Sequence, residues 1–381
     1  MTSRAPDGGV PLVEVTRRDV RGASVGGASA GPAGSVGPVG PEIVESIHLG
    51  HLVAVHGAVH GAVHGAVDGH GTIAREDGDA GVIVFPRSAL KPLQATLCLE
   101  LLETVGVQLS AEEIAVGWAS HRAEPSQLDA VRRLLARAGI DEEQLSCPRA
   151  PVPDEPAAPR SHLAHNCSGK HALFAVTAHA LGLPADRTAL LAHDGPLQSR
   201  LVAELETLLG PIAAIGVDGC GAPALAVPLV AVARAFARLA GDERFARVRD
   251  AGLAHPDLIG GHERGPGGTR RPLVDTALLG AGVIAKRGAE GVLAAGWRMP
   301  DGRAGGIAAK ASDGSMRGVA TAVVAHLETT GVVPEGTWRE PDPTGGGLEA
   351  GTVRPVTAAG RRRGRSGDEG PTPAGRSSAR S

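Results

Sequence analysis

The sequence contains no tyrosine, and only three tryptophans and four phenylalanines in 381 residues. No tyrosine can therefore act as a general base, nucleophile or ligand. Lysine is nearly as scarce. Of 38 basic residues, 34 are arginine and four are lysine: Lys91, Lys170, Lys286 and Lys310. A guanidinium keeps its proton near neutral pH. Chemistry that needs a deprotonatable amine falls to those four side chains or the N-terminus. The four cysteines, Cys98, Cys147, Cys167 and Cys220, form no C-x-x-C pair. That excludes a disulfide framework and fits a reducing compartment. No apolar run reaches the length of a membrane span, and the first residues lack an apolar signal core. The expected location is the cytoplasm, with no membrane partner.

Charge removes a further class. The formal net charge is -3. The tail from Arg361 to Ser381 holds six arginines against Asp368 and Glu369, which leaves -7 on the preceding residues. A mildly acidic body argues against nucleic-acid binding. Hydrophobic residues reach 42% and charged residues 21%, enough for a sizeable core. The length suits one large domain or two modest ones.

Residues 1–41 are rich in Gly, Ser, Pro and Ala and read as a disordered leader. Residues 336–381 read as a disordered Arg-rich tail. The folded part is expected over 42–335. It opens with two strands of a hairpin, Ser46–Val55 and Gly71–Arg75. HGAV recurs between them at His56, His60 and His64. That period would align three histidines on a helix as metal ligands. Each unit also carries a helix-weakening glycine, so a tandem duplication lengthening the hairpin loop is favoured. Helices are expected at Ser88–Val105, Pro125–Ala138, Lys170–Leu181, Pro196–Leu209 and Pro228–Leu239. Strands Val292–Trp297 and Gly306–Ala311 precede a closing helix, Arg317–Leu327. This order predicts an α/β protein with a sheet from both chain ends, helices packed on it and a helical insertion.

Three segments carry chemistry. Ser88 and Lys91 stand at i and i+3 on one helical face. A buried lysine can lose its proton and serve as base to a serine. Ser120-His121-Arg122 and Lys286-Arg287-Gly288 follow in the order in which penicillin-binding enzymes place their second serine motif and K-T-G strand. Lys286 is thereby a partner for Ser120. HNCSGKH (165–171) precedes a helix but lacks the upstream glycine of a phosphate loop. Cys167 with His165 or His171 can begin a metal site. GVDGCGAP (216–223) places Asp218 and Cys220 in a glycine-flanked turn. Asp218 suits a substrate ammonium, and Cys220 can join Cys167 on a metal. Two cysteines plus a nitrogen ligand suit zinc with an open position; two buried free cysteines account for the spacing equally well.

FPRSALKPLQA, the segment Ala119 to Pro125, HNCSGKH, GVDGCGAP, HPDLIGG and AKRGAEGV together resemble the motif series of the rhizobial-type L-asparaginase II family. The resemblance runs over about residues 43–330. It implies a serine-β-lactamase-like fold, as in serine glutaminases, and an amidohydrolase releasing ammonia from L-asparagine. It implies the catalytic couples Ser88–Lys91 and Ser120–Lys286. It implies one zinc per chain on Cys167, Lys170 and Cys220, with Asp218 beside it. Arg87, Asn166, His171, Asp218 and Glu290 are the substrate-binding positions, and a homodimer is expected. A glutaminase, a broader amidase and a non-catalytic zinc- or amino-acid-binding protein are the alternatives. The HGAV array, the two termini, Arg122 and Ala123 depart from the family pattern.

Overall fold

The computed structural model describes residues 7–18, 42–58, 71–155, 157–265, 268–345, 348–349 and 351–356. Three strands lead: β1 (Val10–Arg18), β2 (Glu42–Ala58) and β3 (Thr72–Asp77). β2 pairs antiparallel with β1 over its first half and with β3 over its second. The expected hairpin is present, longer than the sequence suggested. His56 lies near the end of β2, while His60 and His64 lie outside the described residues. The short β4 (Ile83–Val84) leads into a 3-10 turn at Arg87–Leu90.

Helices then dominate. α1 (Lys91–Thr104) carries proline in its first turn, where the missing N–H costs no hydrogen bond. α2 (Ala111–Gly117) starts on a capping box between Ser110 and Glu113. α3 (Pro125–Ala136) buries Val131, Leu134 and Leu135 at helical spacing. α4 (Ser168–Ala180), α5 (Arg187–Leu191) and α6 (Gln198–Leu209) complete the first helical run. A small sheet follows, in which β6 (Pro223–Pro228) pairs with β5 (Ala214–Val217) and with β4. α7 (Leu229–Gly241), α8 (Ala246–Ala254) and α9 (Pro256–Ile259) return towards the main sheet. A hairpin of β7 (His262–Arg264) and β8 (Arg270–Pro272) leads to α10 (Val274–Gly280). The strands β9 (Ile284–Gly288), β10 (Val292–Arg298) and β11 (Ala304–Ala311) precede α11 (Met316–Thr329). β12 (Thr344–Gly345) and β13 (Leu348–Glu349) pair with each other, and β14 (Val353–Pro355) pairs with β1.

The main sheet runs β14-β1-β2-β11-β10-β9, with β3 also on β2, and all its pairings are antiparallel. It is an α/β sheet assembled from both chain ends, as the sequence predicted. Alternation along its strands builds two cores. Val53, Val55, Ala294 and Ala308 face the large helical cluster. Leu52, Ala54, Leu293, Ala295, Ile307 and Ala309 face α10 and α11. Successive side chains point to opposite faces of a strand, so both faces are apolar and both are covered.

Two expectations of disorder are corrected. β1 lies inside residues 1–41, and β14 lies inside residues 336–381. Leu12, Val13 and Val15 on β1 are buried. The short apolar run VPLVEV was masked by the Gly- and Pro-rich composition around it. Among the described residues no helix is long and apolar enough to cross a membrane.

Candidate active site

The Ser88 turn is held under strain. Arg87 has φ 55°, a left-handed conformation for a residue with a side chain. β9 presses on this turn through Gly288. A Cβ there would sit 2.2 Å from the Pro86 carbonyl oxygen. Arg87 is tied down by Asp218, with Nε and Nη2 donating to Oδ1 at 3.0 and 2.7 Å. Ser88 is half-buried, and its hydroxyl has no hydrogen-bond partner among the described residues. Two more non-glycine residues adopt positive φ, Ala123 at 59° and Glu290 at 60°. All three strained positions flank the same pocket. Such strain persists only where its surroundings enforce it, and it concentrates at functional sites.

Ser120 follows the end of α2. Its N–H donates to the Ile259 carbonyl at 2.8 Å, and its carbonyl accepts from Arg287 Nη2 at 3.0 Å. Lys91 reaches it from α1. Lys91 is 1% exposed, and its Nζ donates to the Ala119 carbonyl and, at 3.0 Å, to Ser120 Oγ. The expected couples are therefore re-sorted. The Lys91 amine bonds Ser120; its only link to Ser88 is the backbone N–H donating to the Ser88 carbonyl, and no side-chain hydrogen bond joins them. A buried amine needs acceptors, and the 119–120 turn provides two.

Lys286 is fully buried on β9. Its Nζ donates to Asp275 Oδ2 at 3.2 Å and to the Arg287 carbonyl at 3.1 Å, and it makes no hydrogen bond to Ser120. Burial pushes Lys286 down to about 7, against the pull of Asp275. Burial raises the Asp275 carboxyl, yet Arg287 and Lys286 outweigh it and hold the group below its usual value. Asp275 escaped the sequence reading. Its one signal was a lone carboxylate inside the apolar run PLVDTALLG.

His121 was likewise missed. Its Nδ1 accepts from the Ala123 N–H at 3.1 Å, so Nε2 carries the proton and donates to Ser168 Oγ at 2.8 Å. Burial first, then the Lys91 charge, pushes His121 down to about 3. It is neutral at physiological pH and ties the Ser120 turn to the start of α4.

Cys167, Lys170 and Cys220 converge. Lys170 Nζ lies 3.2 Å from Cys220 Sγ. A hydrogen bond from Cys220 holds the Cys167 thiol well below its usual range, and the same bond pushes Cys220 up. Burial pulls Lys170 down, but the charges of Cys220 and Cys167 outweigh it and hold the amine up. Two thiols and one amine stand in hydrogen-bond contact; the thiols are of the kind zinc takes, while the amine, held in its charged form, must lose its proton to serve as a donor. Among the described residues no group of three or more His, Cys, Asp or Glu side chains gathers to hold a metal; here the third donor is an amine.

A cavity of about 380 Å³ is lined by Ser88, Ser120, Asn166, Arg287 and Glu290, together with His121, Arg122 and Pro153. Lys91 and Lys286 stand behind its wall. Arg87 and Asp218 pair with each other beside it and do not line it. His171 does not line it either. Its Nδ1 bonds Ser146 Oγ at 2.7 Å, and it is fully buried next to Phe174. Lys310 also lies off the cavity, bonded to the Ala311 carbonyl. Arg122 is paired with Asp154 at 3.1 Å. A larger cavity of about 980 Å³ is lined by His56, Arg249, Trp297 and Arg303 and contains none of the lysines or candidate serines. The small cavity is where the motif residues meet.

Comparison with known proteins adds a family. The model of the L-asparaginase II family matches residues 41–354. No curated protein matches the chain. Among solved structures, a Bacillus glutaminase crystallised with 4.3M NaCl aligns at 13% identity. The alignment covers 75% of this chain and 92% of that one, with a TM-score of 0.30. A score that low adds nothing to the fold, which rests on the sheet and helices described above.

Proposed function

Because the chain belongs to the L-asparaginase II family and is thereby an amidohydrolase, we propose that it hydrolyses L-asparagine to L-aspartate and ammonia through a serine nucleophile. The observation that carries this reading is the buried Lys91–Ser120 couple at 3.0 Å on the wall of a cavity that also presents the unbonded Ser88 hydroxyl. Ser88 attacks the carboxamide carbon. Its hydroxyl is free, and its half-exposed position lets a carbonyl approach. The Lys91–Ser120 couple accepts the Ser88 proton and returns it to the departing ammonia. Water then releases aspartate from the acyl-enzyme. Backbone N–H groups around the strained turns provide the oxyanion donors. Asn166, Glu290 and Arg287 hold the amino-acid end of the substrate.

Cys167, Lys170 and Cys220 would hold one zinc ion, with Lys170 as neutral amine. The ion would supply a fixed positive charge beside Asp218 and the pocket wall. The same proposal includes a cytoplasmic homodimer, which sedimentation of the purified protein checks. A second reading makes Ser120 the nucleophile, since it already touches a base.

The test is ammonia release from asparagine, glutamine and simple amides, with intact-mass detection of the acyl-enzyme. Ser88→Ala should abolish the adduct. Ser120→Ala should slow turnover about 100-fold or more while still forming it. An adduct that persists in Ser88→Ala and vanishes in Ser120→Ala reverses the two roles. Full activity in both variants removes the serine mechanism.

A further inference from the structure

Asp275 has no exposed surface, and Glu113 is the only other buried acid among the described residues. Its Oδ2 accepts from Lys286 Nζ at 3.2 Å and faces Arg287 Nε at 3.3 Å. Its Oδ1 accepts from the Thr276 N–H at 3.2 Å. HPDLIGG makes room for it. A Cβ on Gly260 would stand 2.4 Å from Oδ1. The neighbouring Ile259 carbonyl holds the Ser120 N–H, and Arg287 holds the Ser120 carbonyl. One carboxylate thus closes a ring that runs through Arg287, Ser120 and the 259–260 segment back to itself.

Stability alone does not account for this ring. Replacing a buried ion pair with packed apolar groups is often neutral or stabilising. Here one anion serves two cations, and one of them, Arg287, bonds the serine turn while the other, Lys286, bonds the Arg287 carbonyl.

We propose that Asp275 is a positioning residue of the site, holding Lys286 and Arg287 in register behind Ser120 so that the Lys286 amine can exchange a proton with groups in the pocket. Its activity readout rests on the amidohydrolase reading; its titration readout does not.

The charged groups acting on Lys286 are Asp275 on α10, Lys91 on α1 and Arg287 on β9 itself. Asp275 favours the ammonium, and the two cations disfavour it. With only four lysines in the chain, ¹³C-lysine NMR of the full-length protein resolves the Lys286 signal, assigned by its loss in Lys286→Arg. Asp275→Asn should move the Lys286 midpoint to lower pH by about one unit or more. Arg287→Gln should move it upward, and it decides the matter if Asp275→Asn does not fold. A purely structural Asp275 would alter the urea midpoint of unfolding and leave the Lys286 midpoint in place.

With asparagine as substrate, Asp275→Asn should lose about 100-fold in kcat/KM, and the pH limb of the rate should move with the NMR midpoint. A Lys286 midpoint unchanged in both variants, in an enzyme that turns over amides, overturns the inference. Midpoints that move as expected in a protein that hydrolyses no amide leave Asp275 in this role and overturn the substrate instead.

Discussion

Among the lysines, position decides chemistry. All four fall in motif-like segments of a chain that otherwise uses arginine. The structure separates them. Lys91 and Lys286 are buried behind the cavity wall, and Lys170 is buried against Cys220. Lys310 is half-buried and bonds its neighbour's carbonyl. Burial thus sets three of the four apart from Lys310. Lys91→Arg should lower kcat by about 10²–10⁴-fold, the usual contribution of a proton-transfer group. Lys310→Arg should keep wild-type turnover. Steady-state ammonia release from both variants checks the contrast, and a fully active Lys91→Arg enzyme would remove Lys91 from the proton path. The residues themselves were legible; their pairing was not. Helical spacing placed Ser88 beside Lys91, yet the long buried side chain of Lys91 bonds to Ser120 on another element. Spacing reports who shares a face, and only tertiary packing reports who shares a proton.

Among the elements, the most regular segments were the most legible. α1, α3, α6, α7 and α11 follow apolar periodicities of the expected kind, and β10 and β11 read as strands from their small apolar residues. α2 and α10 are short, and β9 carries Lys286 and Arg287 within five residues. Their signals were too brief or too charged for periodicity to find. β9 nevertheless lines the cavity through Arg287 and Gly288. The contact between β9 and the Ser88 turn depends on Gly288, whose absent Cβ would meet the Pro86 oxygen at 2.2 Å and Val292 Cβ at 3.2 Å. Backbone atoms on the Pro86 side cannot rotate away. Gly288→Ala should therefore displace the turn, with a loss of about 100-fold in kcat/KM and an overpacking cost of about 1–3 kcal/mol. Paired urea unfolding and kinetics measure both. Unchanged turnover would show that Ser88 does not need this contact.

Over the whole molecule, the termini and the titrating interior set the limits. The chain ends looked alike in composition, yet β1 and β14 extend the sheet at one edge. β14 has only three residues, and the nine of β1 are flanked by Gly- and Pro-rich sequence, so local composition outweighed their alternation. The interior is also legible in how stability responds to acid. His121 is pushed down to about 3 and His326 to about 4, in both cases chiefly by burial, and His171 lies well below its usual value for the same reason. In the unfolded chain these rings take up protons as pH falls through about 6.5. The folded protein refuses them until far lower pH. The unfolded state thus binds more protons across this window, and stability falls as pH falls. His121 and His326 each contribute on the order of 1.4 kcal/mol per pH unit between about pH 6 and pH 4, and His171 acts in the same direction. Lys286 adds no slope there, because at that pH it is protonated both folded and unfolded. The lowered carboxyls of Asp275, Asp313 and Asp7 act in the same direction, but only near pH 4 and below. Urea midpoints measured from pH 7 to pH 4.5 should therefore drop steeply once pH passes about 6, with the raised, buried Glu340 carboxyl opposing the drop at the acid end. Replacing His326 with Gln should flatten that limb by about one histidine's share. A midpoint constant from pH 7 to pH 5 would mean that these rings are solvated and charged in the folded chain, and that the buried histidine network around Ser120 and Ser146 is not formed in solution.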